Sequence, residues 1–237
     1  MKKILLAVIA VMLIITSCPI MSVFAENQTF EVGTPVEEHP ELFLPRSLPT
    51  HGDGKIAVFL IEFPDFKNDK PFATAEYYDK VYFSGGSFEG VWADTTVTKF
   101  YREQSYGKLN LSGRVFDWYT AKHERSYYDD RKAELVIEAA EHYRSQGVDF
   151  SQFDGNGDGI IDAVTYHFAG EYSRNQNDPW YSGVNYSSSG GVGDIAGLKL
   201  TSIVQVYNGA EEKDNWVLGT ICHELMHSLG MPDLTEA

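Results

Sequence analysis

Apolar and polar positions along the chain fall into blocks with two periodicities. Ile56-Ala57-Val58-Phe59-Leu60-Ile61 is a continuous apolar run stopped at Phe63-Pro64-Asp65. A short run of this composition predicts a central strand buried on both faces, with regular structure starting at Lys55. Thr95 to Gln104 sets Val97, Phe100 and Tyr101 on one side, as an amphipathic helix does, and Ser105-Tyr106-Gly107 ends it. Leu109–Leu111 and Val115–Tyr119 alternate on either side of Ser112-Gly113, which predicts a hairpin. Lys132 to Ser145 carries Leu135, Val136, Ala139, Ala140 and Tyr143 at helical spacing, and Gly147 stops it. Ile160–Phe168 and Leu198–Tyr207 read as further strands. Between them, Glu171 to Gly197 is rich in Gly, Ser, Asn and Tyr and predicts an irregular surface loop. Asp214 can cap a last helix from about Asn215 to Leu229, closed by Gly230. Strands interleaved with helices predict an α+β chain of mixed α/β layout, and no internal repeat is visible.

The ends of the chain depart from this pattern. Lys2 and Lys3 precede an apolar run from Ile4 to Ile15, and Val23-Phe24-Ala25 offers a cleavage site. That layout predicts a secretory signal peptide over residues 1–25 and a secreted, extracellular product. The run is too short, and too soon broken by Pro19, for a membrane span. Ile15-Thr16-Ser17-Cys18 supports a second reading, a lipobox that would acylate Cys18 and leave a cell-surface lipoprotein. Residues 26–54, with Pro35, Pro40, Pro45 and Pro49 among several Glu, read as an extended leader or pro-segment. Residues 55–237 then form the folded domain.

The 237 residues carry 19 basic and 34 acidic side chains, a net charge of −15. That balance excludes a basic nucleic-acid binder, because phosphate contacts need Lys and Arg. There are two cysteines, so a chain cut after Ala25 keeps Cys222 alone and has no internal disulfide. Cys222 reads as a small buried residue rather than a reactive thiol.

The last helix carries His223-Glu224-Leu225-Met226-His227, an H-E-x-x-H run. Residues four apart project from one side of a helix, so the two imidazoles can grip one Zn²⁺. Glu224, beside the first ligand, can take the proton of a water on that metal without being a ligand itself. Gly230 can turn the chain back after the helix, and Asp233 follows ten residues after His223. That is the spacing at which metzincin-type sites place a third ligand, there usually His.

A second constellation is Asp154-Gly155-Asn156-Gly157-Asp158-Gly159-Ile160-Ile161-Asp162. Oxygen donors at Asp154, Asn156 and Asp158, a turn at Gly159, the Ile160 carbonyl and Asp162 follow the opening of an EF-hand-type loop. Position twelve is Thr165 instead of Glu, so a full EF-hand is not expected. Three close carboxylates favour a bound Ca²⁺, because they repel one another without a cation. A bare Asn/Gly/Asp turn is the alternative. Elsewhere, His51, His123, His142 and His167 read as structural or exposed. Tyr127, Tyr128, Tyr172, Trp180, Tyr181 and Tyr186 read as loop anchors or as the lining of a substrate cleft.

The string from His223 to Asp233, His-Glu-Leu-Met-His-Ser-Leu-Gly-Met-Pro-Asp, resembles the active site of immune inhibitor A-type metallopeptidases. Val58 to Asp65, Ser105-Tyr106-Gly107-Lys108-Leu109 and the Asp154–Asp162 segment resemble the same family in the same order. Two departures stand out: His167-Phe168-Ala169-Gly170 where the family shows a His-Ala-Gly-like turn, and an end four residues after Asp233. The resemblance implies a zincin-like catalytic domain with a mixed sheet, a backing helix and an active-site helix. It implies a secreted zinc endopeptidase acting on protein or peptide substrates, with zinc on His223, His227 and Asp233 and Glu224 as general base. It also implies that 55–237 is the N-terminal part of a longer catalytic domain. Two other readings stay open: a calcium-stabilised extracellular binding module with a relic zinc site, and a zinc hydrolase of non-peptide substrates.

Overall fold

The computed structural model of the chain describes residues 46–84, 95–173, 175, 177–186, 191–209 and 216–232. All belong to the larger of two units into which the chain divides, Glu41–Ala237. The fold is α+β, built on a five-stranded mixed sheet.

Strand β1 (Gly52–Glu62) begins three residues before the expected start at Lys55, and Ser47 and Leu48 ahead of it are already buried. Its side chains alternate between two apolar environments. Ala57, Phe59 and Ile61 enter one core, while Ile56, Val58 and Leu60 enter the other. This double burial is why the strand reads as an unbroken apolar run. Helix α1 (Ala75–Phe83) follows, capped by Thr74, whose side chain accepts from the Tyr77 amide at 3.1 Å. Helix α2 (Val97–Gln104) is capped in the same way by Thr96.

Strand β2 (Leu109–Thr120) corrects the expected hairpin: it is one continuous strand, parallel to β1. Gly113 is not a turn residue. A Cβ there would lie 2.0 Å from the Ile56 carbonyl oxygen and 2.8 Å from the Phe83 ring, so the glycine serves close backbone approach. Helix α3 (Lys132–Ser145) matches its pattern, and Leu135, Val136, Ala139, Ala140 and Tyr143 are all buried. It backs the sheet face that carries Phe59 and Phe116.

Strand β3 (Ala163–Phe168) starts three residues later than expected, and Ile160 makes only an isolated bridge to Lys199. The expected loop after it contains β4 (Gly183–Tyr186) and β5 (Gly193–Ile195). The expected strand Leu198–Tyr207 is two strands in two sheets. β6 (Leu198–Leu200) pairs antiparallel with β5, and β7 (Ser202–Tyr207) joins the main sheet. The order β2-β1-β3-β7-β4 is parallel throughout except for β4, which runs antiparallel at the edge.

Helix α4 (Trp216–Ser228) carries the H-E-x-x-H run. Val217, Leu218, Ile221, Cys222 and Leu225 form its inward stripe and pack into the core that holds Val58, Leu60, Val204 and Val206. Burying an aliphatic side chain of this size contributes about 1.5–3 kcal/mol, so the stripe fixes which face of α4 looks outward. Asp214, the expected cap, lies outside the described residues. No helix among the described residues is long and apolar enough to cross a membrane. The expected signal peptide, the lipobox cysteine Cys18 and the leader to Pro45 also lie outside them.

Candidate metal centre

With Leu225 and Ile221 turned inward, the outer side of α4 presents Gly219, Thr220 and His223, one turn apart where i and i+4 align. His223 is exposed, while Glu224 and His227 are buried at 7% and 5% accessibility. The three side chains offer ligating atoms that all lie within 4.8 Å of one another. Among the described residues, no other group of three or more His, Cys, Asp or Glu converges this closely. The two imidazole rings stand at 88°, with centroids 5.2 Å apart, and Glu224 Oε2 lies 3.9 Å from His227 Nε2.

The turn after the helix orients His227. Gly230 has a φ of 89°, the left-handed conformation that closes a helix C-terminus. The Gly230 amide donates to the His227 carbonyl at 2.9 Å, and the Met231 amide donates to the Met226 carbonyl at 3.3 Å. This pair of bonds is the Schellman arrangement. It folds the chain back so that the Met231 carbonyl meets His227 Nδ1 at 2.7 Å. A carbonyl can only accept, so Nδ1 carries the ring proton and Nε2 carries the lone pair that a metal takes. Such an outer hydrogen bond is the usual companion of a metal-ligating histidine. Met231 was not legible as a contributor, because its backbone oxygen acts, not its side chain. Asp233, the expected third ligand, lies outside the described residues.

A cavity of about 390 Å³ opens beside the cluster, lined by Tyr172, Tyr181, Ser182, Gly219, Thr220, His223 and Glu224. Of the aromatic candidates, Tyr172 and Tyr181 line it. Trp180 is instead a buried anchor, its indole N–H donating to Asp129 Oδ1 at 2.7 Å. Tyr127 and Tyr128 are not part of the lining; Tyr128 is buried and donates to Glu138. The Tyr186 side chain lies outside the described residues. A larger concavity of about 680 Å³, beside Thr98, Arg102 and Tyr106, is lined by no histidine.

His167 sits in the core, with Nε2 3.0 Å from the Tyr82 hydroxyl and its ring 4.0 Å from that of Tyr78. Burial pushes its ring well below the usual histidine range, to about 3. It is a neutral core residue, as expected for an isolated histidine. Cys222 is likewise buried, and burial pushes its thiol up to about 12.

The Asp-rich loop is held by its own carboxylates. Asp154 accepts the amides of Gly157, Asp158 and Gly159 at 2.8–3.0 Å. Asn156 accepts the Asp158 amide, and Asp158 accepts the Ile160 amide. Asp162 is fully buried; its Oδ2 accepts the amides of Lys55 and Gly155, whereas its Oδ1 has no hydrogen-bond partner among the described residues. Burial, opposed by those two amides and reinforced by the charges of Asp154 and Asp158, raises its carboxyl to about 6. The three carboxylates do not converge as the histidine cluster does.

No family model matches the chain. The chain is 26% identical over 232 residues to a protein named immune inhibitor A from Bacillus thuringiensis subsp. alesti. The match covers 76% of this chain and 33% of that protein. The relation is distant, and the chain spans about a third of its relative.

Proposed function

We propose that this chain is the metal-bearing part of a secreted zinc metallopeptidase. The observation that carries the reading is the convergence of His223, Glu224 and His227 within 4.8 Å at the edge of an open cavity. The donor set fits zinc: two imidazoles one helical turn apart, one held in the metal-binding tautomer by the Met231 carbonyl. His223 and His227 would hold the ion, with Asp233 as the proposed third ligand. Bound zinc supplies Lewis acidity, polarising the scissile carbonyl and making water easier to deprotonate. Glu224 is the general base. Its buried carboxylate takes the proton from the attacking water and delivers it to the departing amine. Tyr172, Tyr181 and Ser182 form the wall facing these groups. The neighbouring edge strand β4 pairs with β7 on one side, and its other side offers backbone groups along which an extended peptide can lie. The distant similarity to an immune inhibitor A supports the peptidase reading over a hydrolase of other substrates.

The test is Glu224→Gln in the chain expressed as its complete reading frame. Zinc should remain at about one ion per chain, while hydrolysis of a generic protein substrate falls by about 10²–10⁴-fold. His223→Ala with His227→Ala should remove both zinc and activity. A Glu224→Gln protein that keeps full activity sinks the mechanism, and zinc retained by the double variant sinks the site.

A second ion, Ca²⁺, is proposed at Asp154, Asn156, Asp158, the Ile160 carbonyl and Asp162. The observation favouring it is the buried Asp162 oxygen without a hydrogen-bond partner, since such a group is costly unless something meets it.

A further inference from the structure

We propose that Tyr101 and the backbone of Ser47 and Leu48 are positioning groups for the metal-binding turn of α4. The inference rests on the reading of His223 and His227 as metal ligands. The two imidazoles are bracketed by contacts that come from outside the helix. One residue before His223, the Cys222 carbonyl accepts the Tyr101 hydroxyl at 2.5 Å. One residue after His227, the Ser228 carbonyl accepts the amides of both Ser47 and Leu48 at 3.1 Å each.

Neither contact is needed to make a helix. The Cys222 carbonyl lies inside α4, where the helical pattern directs an amide onto it, and the Tyr101 phenol takes its second lone pair. Tyr101 is 5% exposed, and burial pushes its hydroxyl far above the usual tyrosine range, so it stays a donor. It projects from α2, a separate helix with its own Thr96 cap. At the other end, Ser228 is the last residue of α4, and its carbonyl is one that a helix leaves without an internal partner. The Schellman turn takes the Met226 and His227 carbonyls, and the Ser47–Leu48 segment takes the next. That segment is anchored in turn. Leu48 is 1% exposed in the core shared with Leu225, and Ser47 Oγ lies 3.0 Å from Ser202 Oγ, itself 3.3 Å from Ser228 Oγ.

The consequence is mechanical. Zinc–ligand distances are tolerated only within about 0.2 Å, and a useful site must hold its ligands within about 0.5 Å. The final turn of a helix frays unless something holds it. Here His227 sits in that final turn, and its flank is tied to the segment that leads into β1. His223 sits one turn earlier, with its flank tied to α2. Rotation of α4 about its own axis, or sliding along it, would break one of the two contacts. Sheet, helix α2 and entry segment therefore converge on the ligand pair.

The test compares zinc affinity with metal-free stability in the full chain. Tyr101→Phe removes one oxygen and keeps the ring. Loss of a group supporting a metal ligand typically weakens metal binding by about 10–100-fold; acting one bond further out, Tyr101→Phe should raise the zinc Kd by about tenfold. The metal-free melting temperature should fall by only about 2–4 °C, as for one lost hydrogen bond. Tyr143→Phe is the matched control. Its hydroxyl also donates to a backbone carbonyl, that of Asp117, on the opposite side of the sheet. It should lower melting with the zinc Kd unchanged. Cobalt(II) in place of zinc should show an altered visible spectrum in Tyr101→Phe and an unaltered one in Tyr143→Phe. Ser47→Pro removes one of the two amides on Ser228 and should weaken zinc in the same direction; it carries the comparison if Tyr101→Phe does not fold. A zinc Kd within twofold of wild type in Tyr101→Phe, or an equal loss in Tyr143→Phe, overturns the positioning role. A wild-type chain that takes up no zinc overturns the metal reading itself, and the positioning role with it.

Discussion

Lys132 shows how far a single residue can depart from what its sequence neighbourhood suggests. It opens helix α3, where a lysine ordinarily faces water, yet it is 7% exposed. Its ammonium lies 3.2 Å above the centroid of the Trp180 ring and has no hydrogen-bond partner among the described residues. Burial pulls its pKa down to about 7; Asp129, Asp178 and Asp130 oppose that shift, and Arg125 adds to it. The folded-state value lies below the unfolded one near 10.4, so from about pH 7 upward the unfolded chain binds more protons at this site. Stability from this group should therefore rise as pH climbs from about 7 towards 9. Lys132→Met keeps the length and removes the charge, so the variant should lack that part of the rise. Denaturant melts of both proteins across this range check the sign; parallel curves would show that Lys132 does not titrate there. No period or motif marks this lysine, because its burial depends on a tryptophan 48 positions away. Cys222 was legible for the opposite reason. The sequence reads it as a small buried residue, the inward stripe of α4 buries it, and with the thiol pushed to about 12 it should resist a thiol reagent at pH 8 until the protein is denatured.

At the scale of elements, periodicity located what it could see. Helix α3 and the apolar run of β1 are each buried as their patterns require, and α4 ends at the glycine that predicted its end. The failures come from residues whose role is set by a distant partner. Ser112-Gly113 has turn chemistry, but Gly113 lies within a strand because the Ile56 backbone and Phe83 ring leave no room for a side chain. Helix α1 carries no helical signal of its own because Tyr77, Tyr78, Tyr82 and Phe83 are poor helix formers, and packing decides in their favour. The prediction at this scale concerns Gly113. Gly113→Val gives the strand a residue of high β propensity, and a hairpin turn would tolerate it poorly for local reasons alone. In the observed strand it should cost at least about 1–3 kcal/mol, because a Cβ at 2.0 Å from a carbonyl oxygen forces the backbones of β1 and β2 apart. Phe83→Ala in the same protein should recover little, since the backbone oxygen, not the ring, is the nearer obstacle. Urea unfolding of the single and double variants measures both, and a large recovery would place the clash on the ring.

In the whole molecule, the sheet separates two apolar cores, and each candidate ion site lies where a loop or a helix end leaves one of them. The metal helix packs on the core that holds Val58 and Leu60, and its histidines were legible because one short helical segment carries both. The supporting groups were not, since Tyr101, Ser47 and the Met231 carbonyl come together only through the fold. The Asp-rich loop is the converse case. Its spacing was legible, but its closure depends on Asp162, which is buried at the entry to β3 and bonded to the Lys55 amide of β1. Calcium at this loop would therefore tie the adjacent inner strands β1 and β3, and among the described residues no disulfide does that work. An ion that binds only the folded state stabilises it by about 2.7 kcal/mol at one hundred times its Kd. For a chain of this size that is a rise in melting temperature of roughly 5–11 °C. Melting should be followed after chelation, with zinc restored to saturation, with and without Ca²⁺. The Asp154→Ala/Asp158→Ala protein should lose the response. Its metal-free melting should fall as well, because Asp154 itself accepts three loop amides. The size of the calcium step, not the absolute melting temperature, is therefore the deciding quantity. An equal step in the variant would move the calcium elsewhere, and no step in the wild type would leave Asp162 Oδ1 as a buried oxygen that the fold tolerates at a cost in stability.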